Sequence, residues 1–161
     1  MHQSVFFLLR QSILTTCTAT ALMAIAGTIP AADCPSVTEE SVVETMRKMY
    51  AAATVDDEAG LSKVFDPDFY AYDVGKRFSG HELYVVIKDA HAAGKKFVWT
   101  VADPQVHVHC DWAWITYVNR GSVSDATGML PVTWLESAVL RYDKGSWFIR
   151  FFHSTRSPTA P

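Results

Sequence analysis

The sequence predicts an α+β fold, with three N-terminal helices packed on a strongly curved antiparallel sheet, and three observations lead there. Apolar residues recur at three- and four-residue spacing through the first part of the chain, from Val42 to Ala90, as they do on helices packed by one face. From Lys95 onward the chain reads as strand after strand, rich in aromatic and β-branched residues and punctuated by Asp103-Pro104, Cys110-Asp111 and a loop from Asp125 to Met129. Two of these runs, within Trp134 to His153, flank Asp143-Lys144-Gly145, a hairpin turn with glycine where positive φ is needed. The second of the two is apolar on both faces: Trp147, Ile149 and Phe151 point one way, Phe148 and Phe152 the other. Such a strand must be covered on both sides, by the chain's own helices on one and by a second subunit on the other. Helices over the concave side of a curved sheet leave a cone-shaped pocket, the natural place to look for a site.

Residues 1–32 contain no Asp or Glu and one Arg, Arg10, with an apolar stretch from Ile13 to Ile29 that ends in small residues. That is the outline of a secretory signal peptide, followed by a single domain over 33–161 in the periplasm or outside the cell. Thr15, Thr16, Thr18 and Thr20 make the same stretch a poor membrane-spanning helix, so no membrane contact is expected after cleavage. Cys34, preceded by Asp33, does not read as a lipid-attachment site. Beyond the leader only Cys34 and Cys110 remain; an oxidising compartment would allow them to pair, and two free thiols is the other state that spacing leaves open.

Ser36-Val-Thr-Glu39 reads as a capping box ahead of a helix from about Val37 to Thr54, whose apolar stripe is Val42, Val43, Met46, Met49, Tyr50 and Ala53. A short second helix is capped by Asp56 or Asp57, buries Leu61, Val64 and Phe65, and ends at Asp66-Pro67-Asp68. A strand from Phe69 to Asp73 turns through Gly75-Lys76-Arg77 into a short partner. Ser79-Gly-His-Glu82 is a second capping box, starting a helix that runs through Leu83, Tyr84, Ile87 and Ala90 and stops at Gly94. The remaining strands are Lys95 to Ala102, Gln105 to Cys110, Trp112 to Ser122, Leu130 to Tyr142 and Ser146 to His153.

A formal charge of −3 with no basic run removes the electrostatic footprint of nucleic-acid binding. No nucleophile elbow, phosphate loop or dinucleotide fingerprint is present, so no cofactor is expected. His107 and His109 share a strand face, and His153 or His81 could join them, but spacing fixes no third ligand. Val106-His-Val-His109 reads more simply as a half-exposed strand, and no metal is expected.

Four stretches together resemble the NTF2-like superfamily, and within it the DUF4440 and SnoaL-like group. They are Tyr50-Ala-Ala-Ala53, Asp56-Asp-Glu-Ala-Gly-Leu-Ser-Lys-Val-Phe-Asp-Pro-Asp-Phe69, Arg77-Phe-Ser-Gly-His-Glu82 and the closing Leu140-Arg-Tyr-Asp-Lys-Gly-Ser-Trp-Phe-Ile-Arg-Phe-Phe-His-Ser154. The resemblance covers the whole segment after the leader and implies a fold far more specifically than a chemistry. The superfamily includes ketosteroid isomerases, scytalone-type dehydratases, polyketide cyclases and members that only bind or assemble. Resemblance to the isomerases implies an oxyanion-binding tyrosine at Tyr50 and a carboxylate base at Asp73. It also implies a second oxyanion acid, but Ala138 stands near that place, and losing one such donor typically costs ~10²-fold or more in rate. The departure weighs against steroid-type isomerisation.

Each candidate has a plainer reading beside the chemical one. Asp73 could be a general base, or an Asp that caps its own hairpin. Tyr50 could donate into the pocket or pack as a core tyrosine. His153, at the end of the last strand, could be an acid or base near neutral pH, or a polar residue meeting solvent. Glu136 shares a strand face with Trp134, Ala138 and Leu140, so it lies inside if the register holds and outside if it slips by one. Trp112, Trp114, Trp134, Tyr72 and Phe151 could line a pocket for a small apolar or aromatic molecule, or bury a homodimer interface. The expectation is an exported, homodimeric protein that binds such a molecule. The alternatives are cofactor-independent acid-base chemistry centred on Asp73, or a structural assembly module.

Overall fold

The computed structural model describes residues 34–158, so the predicted leader lies outside the described residues. Helix α1 spans Glu39–Thr54, α2 Glu58–Ser62 and α3 Gly80–Ala92. The cap of α1 is Thr38, whose side chain accepts from the Ser41 N–H, rather than the predicted Ser36; Glu39 and Glu40 then fall in the first turn, where the helix dipole favours them. Asp57 caps α2, and α3 begins with the predicted box, Ser79 and Glu82 each bonding the other's backbone. Its last turn runs out at Gly94, which sits at φ 82° as a helix C-terminal glycine commonly does.

Seven strands follow the order β2-β1-β7-β6-β5-β3, with β4 also paired to β5. They are β1 Phe65–Asp73, β2 Lys76–Ser79, β3 Lys96–Val98, β4 Ala102–His109, β5 Trp112–Asp125, β6 Gly128–Asp143 and β7 Ser146–Arg156. The sheet is mixed rather than wholly antiparallel, because β1 runs parallel to β7. Tight turns force antiparallel pairing only between consecutive strands; β1 and β7 come from opposite ends of the domain and are free of that constraint. Strand β1 also starts four residues earlier than predicted. A register shift between Phe65 and Tyr70 carries Asp66-Pro67-Asp68 as an irregular stretch of strand, where proline is tolerated. Asp66 is buried there, taking Arg141 Nε at 2.9 Å and Arg150 at 2.8 Å. Burial works against its charge, but the Asp68 backbone N–H and the two guanidinium groups outweigh it and hold the carboxyl below its ordinary pKa.

A bulge in β7 decides which side chains face the helices. Leu140 pairs with Ile149 and Val139 with Phe151, leaving Arg150 as the extra residue. One added residue inverts the alternation. Trp147 and Ile149 therefore share the covered face with Phe152 and Ser154, all buried, while Phe151 and His153 turn to the opposite face. The predicted grouping of Phe151 with Trp147 and Ile149 is corrected accordingly, and His153, two residues on, turns outward with Phe151.

Helix α1 lays its apolar stripe, including Val42, Met46 and Met49, over the inner sheet face in one continuous core with Ile115, Leu140 and Ile149. Cys34 and Cys110 form a disulfide, which ties the segment entering α1 to the turn between β4 and β5 and decides the alternative that spacing left open. Strands β3 and β4 both lie along β5, β3 against its end and β4 against its start, with residues 99–101 outside both. The predicted single strand from Lys95 to Ala102 is thus broken, and the break makes the site.

Candidate functional site

Gly121 on β5 is what lets the chain bend at that break. A Cβ there would lie 1.8 Å from the Val98 carbonyl oxygen and 3.2 Å from the Trp134 ring, so only glycine admits the approach. The bend is pinned by side chains in place of ladder bonds. Thr100 donates its N–H to Asn119 Oδ1 at 2.8 Å, and its hydroxyl donates to the Arg120 carbonyl at 2.8 Å while accepting the Arg120 N–H at 2.9 Å. Held this way, Trp99 stacks on Phe97 with centroids 5.1 Å apart and on Tyr50 of α1 at 5.5 Å. Between α1 and the bend lies an open cleft of about 420 Å³, bordered by Arg47, Tyr50 and Thr54 on one side and by Trp99, Thr100 and Val101 on the other.

Behind Tyr50 the inner sheet face carries a buried polar cluster. Strand register puts Tyr117 opposite Glu136 and Glu136 opposite Ser154. Tyr50 donates its hydroxyl to Glu136 Oε2, which also takes Asn119 Nδ2 at 3.2 Å; Ser154 Oγ donates to Oε1 at 3.0 Å. The Tyr50 and Tyr117 hydroxyls lie 2.7 Å apart, and Asn119 Nδ2 reaches the Tyr50 oxygen at 3.3 Å. Among the described residues no buried side-chain polar atom lacks a partner, as a low-dielectric cluster requires. Burial raises the Glu136 pKa above its ordinary value, and the donors from Tyr50, Ser154, Tyr117 and Asn119 hold part of that rise back. Burial first, and the neighbouring acid with it, pushes both tyrosines well above their ordinary range, so they remain hydrogen-bond donors. The cluster can store or share one proton. It shows the cleft the ring of Tyr50, whose hydroxyl is already engaged.

Of the predicted site residues, Tyr50 and Glu136 are brought together, and Glu136 faces inward because the register holds. Trp134 shares that face and packs near Gly121. Asp73 sits at the end of β1 before the tight turn Val74-Gly75, both at positive φ, and accepts the Val74 N–H at 2.9 Å, as the hairpin-capping reading requires. Burial raises its pKa, opposed by that N–H and by His153. It lines neither this cleft nor the second one described, about 340 Å³ against α2 and α3, where Leu61, Phe65, Phe69 and Tyr84 meet the Glu58–His81 pair.

The other candidates face away from the helices. His153 is exposed, and its hydrogen bond among the described residues is to its neighbour Thr155, at 3.1 Å. Phe151 packs with Tyr70 and Tyr72, while Trp112, Trp114 and Tyr72 are 42%, 47% and 46% exposed on the outer face. His107 stacks on Trp114 there, centroids 4.1 Å apart. Among the described residues no group of three or more His, Cys, Asp or Glu side chains is placed to hold a metal ion.

Sequence reasoning missed Trp99, Tyr117, Asn119 and Ser154. One signal was available: Asn119 falls in phase with Ile115 and Tyr117 on an apolar strand, where an amide must find buried partners.

The SnoaL-like domain family matches residues 42–161. Among solved structures, the chain is similar to a CaMKII hub from S. rosetta, at 20% identity over 76% of this chain and 99% of that one, TM-score 0.64. It is similar to an NTF2-like protein from Cytophaga hutchinsonii, at 11% identity over 75% and 99%, TM-score 0.63. It is also similar to a candidate dehydratase of the NTF2-like family from Streptomyces avermitilis, at 16% identity over 75% and 96%, TM-score 0.65. At these identities the likeness is one of fold. Comparison with curated proteins gave no match.

Proposed function

The chain belongs to the SnoaL-like domain family, and on that footing we propose that it is an exported protein that binds a small, largely apolar molecule in the cleft between α1 and the Trp99–Val101 bend. The observation that carries this is the aromatic wall itself. Trp99 and Tyr50, stacked on one another, border a space of about 420 Å³, within the range of small-molecule sites, and the hydrogen bonds of Thr100 to Asn119 and Arg120 hold the wall in place. Binding is favoured over turnover. Asp73 is engaged by its own hairpin, and the Tyr50 hydroxyl, its natural partner in acid-base chemistry, is committed to Glu136. Export is supported by the acid-free, apolar residues 1–32 and by the disulfide, which suits an oxidising compartment.

The test is native mass spectrometry of the protein isolated gently from the exported fraction, beside the Trp99→Leu variant. A small-molecule adduct on the wild type that is lost from the variant is the expected result. An adduct that survives the substitution places the ligand elsewhere, and no adduct on either protein removes the reading.

The outer face favours a second activity in the same molecule, self-association. Trp112, Trp114, Tyr72 and Leu135 are all exposed on that face, and large aromatic side chains are among the residues that interfaces bury. One of the structural neighbours, from S. rosetta, is a hub domain by description. A homodimer through this face predicts that Trp114→Glu shifts the sedimenting species to half its mass; wild-type protein that stays monomeric at high concentration would sink it.

A further inference from the structure

We propose that Asn119 is a positioning residue that couples the cleft to the buried acid, so that ligand affinity follows the protonation of Glu136. The inference rests on the cleft being the ligand site.

Asn119 is wholly buried, and both ends of its amide are in use. Its oxygen takes the Thr100 N–H, one of the backbone donors that the β3–β4 break removes from the sheet ladder. Its nitrogen donates to Glu136 Oε2 and to the Tyr50 oxygen. One planar group therefore spans the cleft wall and the proton-holding cluster, and it can point its oxygen at Thr100 only while its nitrogen points at Glu136 and Tyr50. A carboxylate accepts the Nδ2–H bond more strongly than a neutral carboxylic acid does. Ionised Glu136 thus fixes the amide and, through Thr100, the position of Trp99. Protonated Glu136 offers an O–H of its own, weakens the Nδ2–H bond and loosens the wall. The groups facing Glu136 are Tyr50 from α1, Tyr117 and Asn119 from β5 and Ser154 from β7. The two tyrosines stay protonated across the acid and neutral range, which leaves Glu136 as the group in the cluster that titrates there.

The experiment is calorimetric titration with 2-naphthamide, a flat neutral probe that does not itself ionise between pH 4 and 9, on wild type, Glu136→Gln and Asn119→Ser. Affinity for the wild type is expected to rise about three- to tenfold with pH through the Glu136 titration, the difference between a neutral and a charge-assisted hydrogen bond. The rise should vanish in Glu136→Gln. It should vanish as well in Asn119→Ser, where Glu136 still titrates but the bridge is gone; loss of mere structural support would weaken binding at every pH and keep the slope. Binding to wild type that is flat with pH, or a slope that persists in Asn119→Ser, overturns the coupling while leaving the cleft as a ligand site. No binding to any of the three proteins overturns both. Should Asn119→Ser not fold, the Thr100 amide resonance of the ligand-free wild type decides. It should shift along the same pH curve as the Glu136 carboxyl carbon, and a Thr100 signal indifferent to that titration overturns the proposal.

Discussion

Gly121→Val is expected to cost the domain more than ~3 kcal/mol and to dismantle the cleft wall together with it. In most strand positions the opposite trend holds, because a side chain lowers the entropy of the unfolded chain and packs on the pleat. Here the obstacle is backbone. The Val98 carbonyl oxygen would be 1.8 Å from the new Cβ and its carbon 2.9 Å away, with Trp134 at 3.2 Å, so no rotamer change relieves the overlap. The chain can yield only by pulling β3 off β5, breaking the Lys96, Phe97 and Val98 pairings. That releases Trp99 from its stack between Phe97 and Tyr50. Urea unfolding with an unchanged slope measures the loss. Gly75→Ala is the control: its φ of 74° imposes local strain of about 1 kcal/mol, but nothing lies within 4 Å, so the rest of the sheet is untouched. Equal destabilisation by the two substitutions would mean that Gly121 acts only through its backbone freedom and that the wall does not depend on the close approach.

The same close approach explains where the sequence was legible and where it was not. Helix spans, the α3 capping box and the Lys144-Gly145 turn follow from local rules, and each rule acts within a few residues. Glu136 could be placed only conditionally, because alternation says which residues share a face but not which face is covered. The bulge at Arg150 carries no local mark; it is created by pairing between β6 and β7, and it alone sends His153 and Phe151 outward. The parallel pairing of β1 with β7 is likewise a long-range choice. Trp99 looked like one more strand tryptophan because the break beside it is made by Gly121, about twenty residues further on. Resemblance to the isomerases pointed to Tyr50 as an oxyanion donor, and the structure places that side chain inward with its hydroxyl on Glu136. The resemblance put the missing acid near Ala138, whereas an acid does stand on that face, two residues earlier, at Glu136.

Removing the Cys34–Cys110 bond should lower stability by about 4.5 kcal/mol, the chain-entropy value for a closed loop set by a separation of 76 residues. The bond closes almost the whole helical half of the domain, so the unfolded chain regains the most freedom when it is cut. It also has a local consequence. Cys34 lies four residues before Thr38, the cap of α1, and Cys110 sits at positive φ in the turn that joins β4 to β5. The bond thus anchors the start of the helix that carries Tyr50 to the sheet that carries Tyr117 and Asn119. Denaturant unfolding of the Cys34→Ser, Cys110→Ser protein against wild type, and of wild type with and without a reductant, should give the same shift. Loosening of α1 should also appear as faster amide exchange through its first turns, since Thr38 and its neighbours lose their fixed point. A shift below ~1 kcal/mol would mean that the α1 core holds the segment unaided. Two freely alkylated thiols in protein isolated without a reductant would remove the bond, and with it the support that the bond lends to the proposal of an oxidising destination.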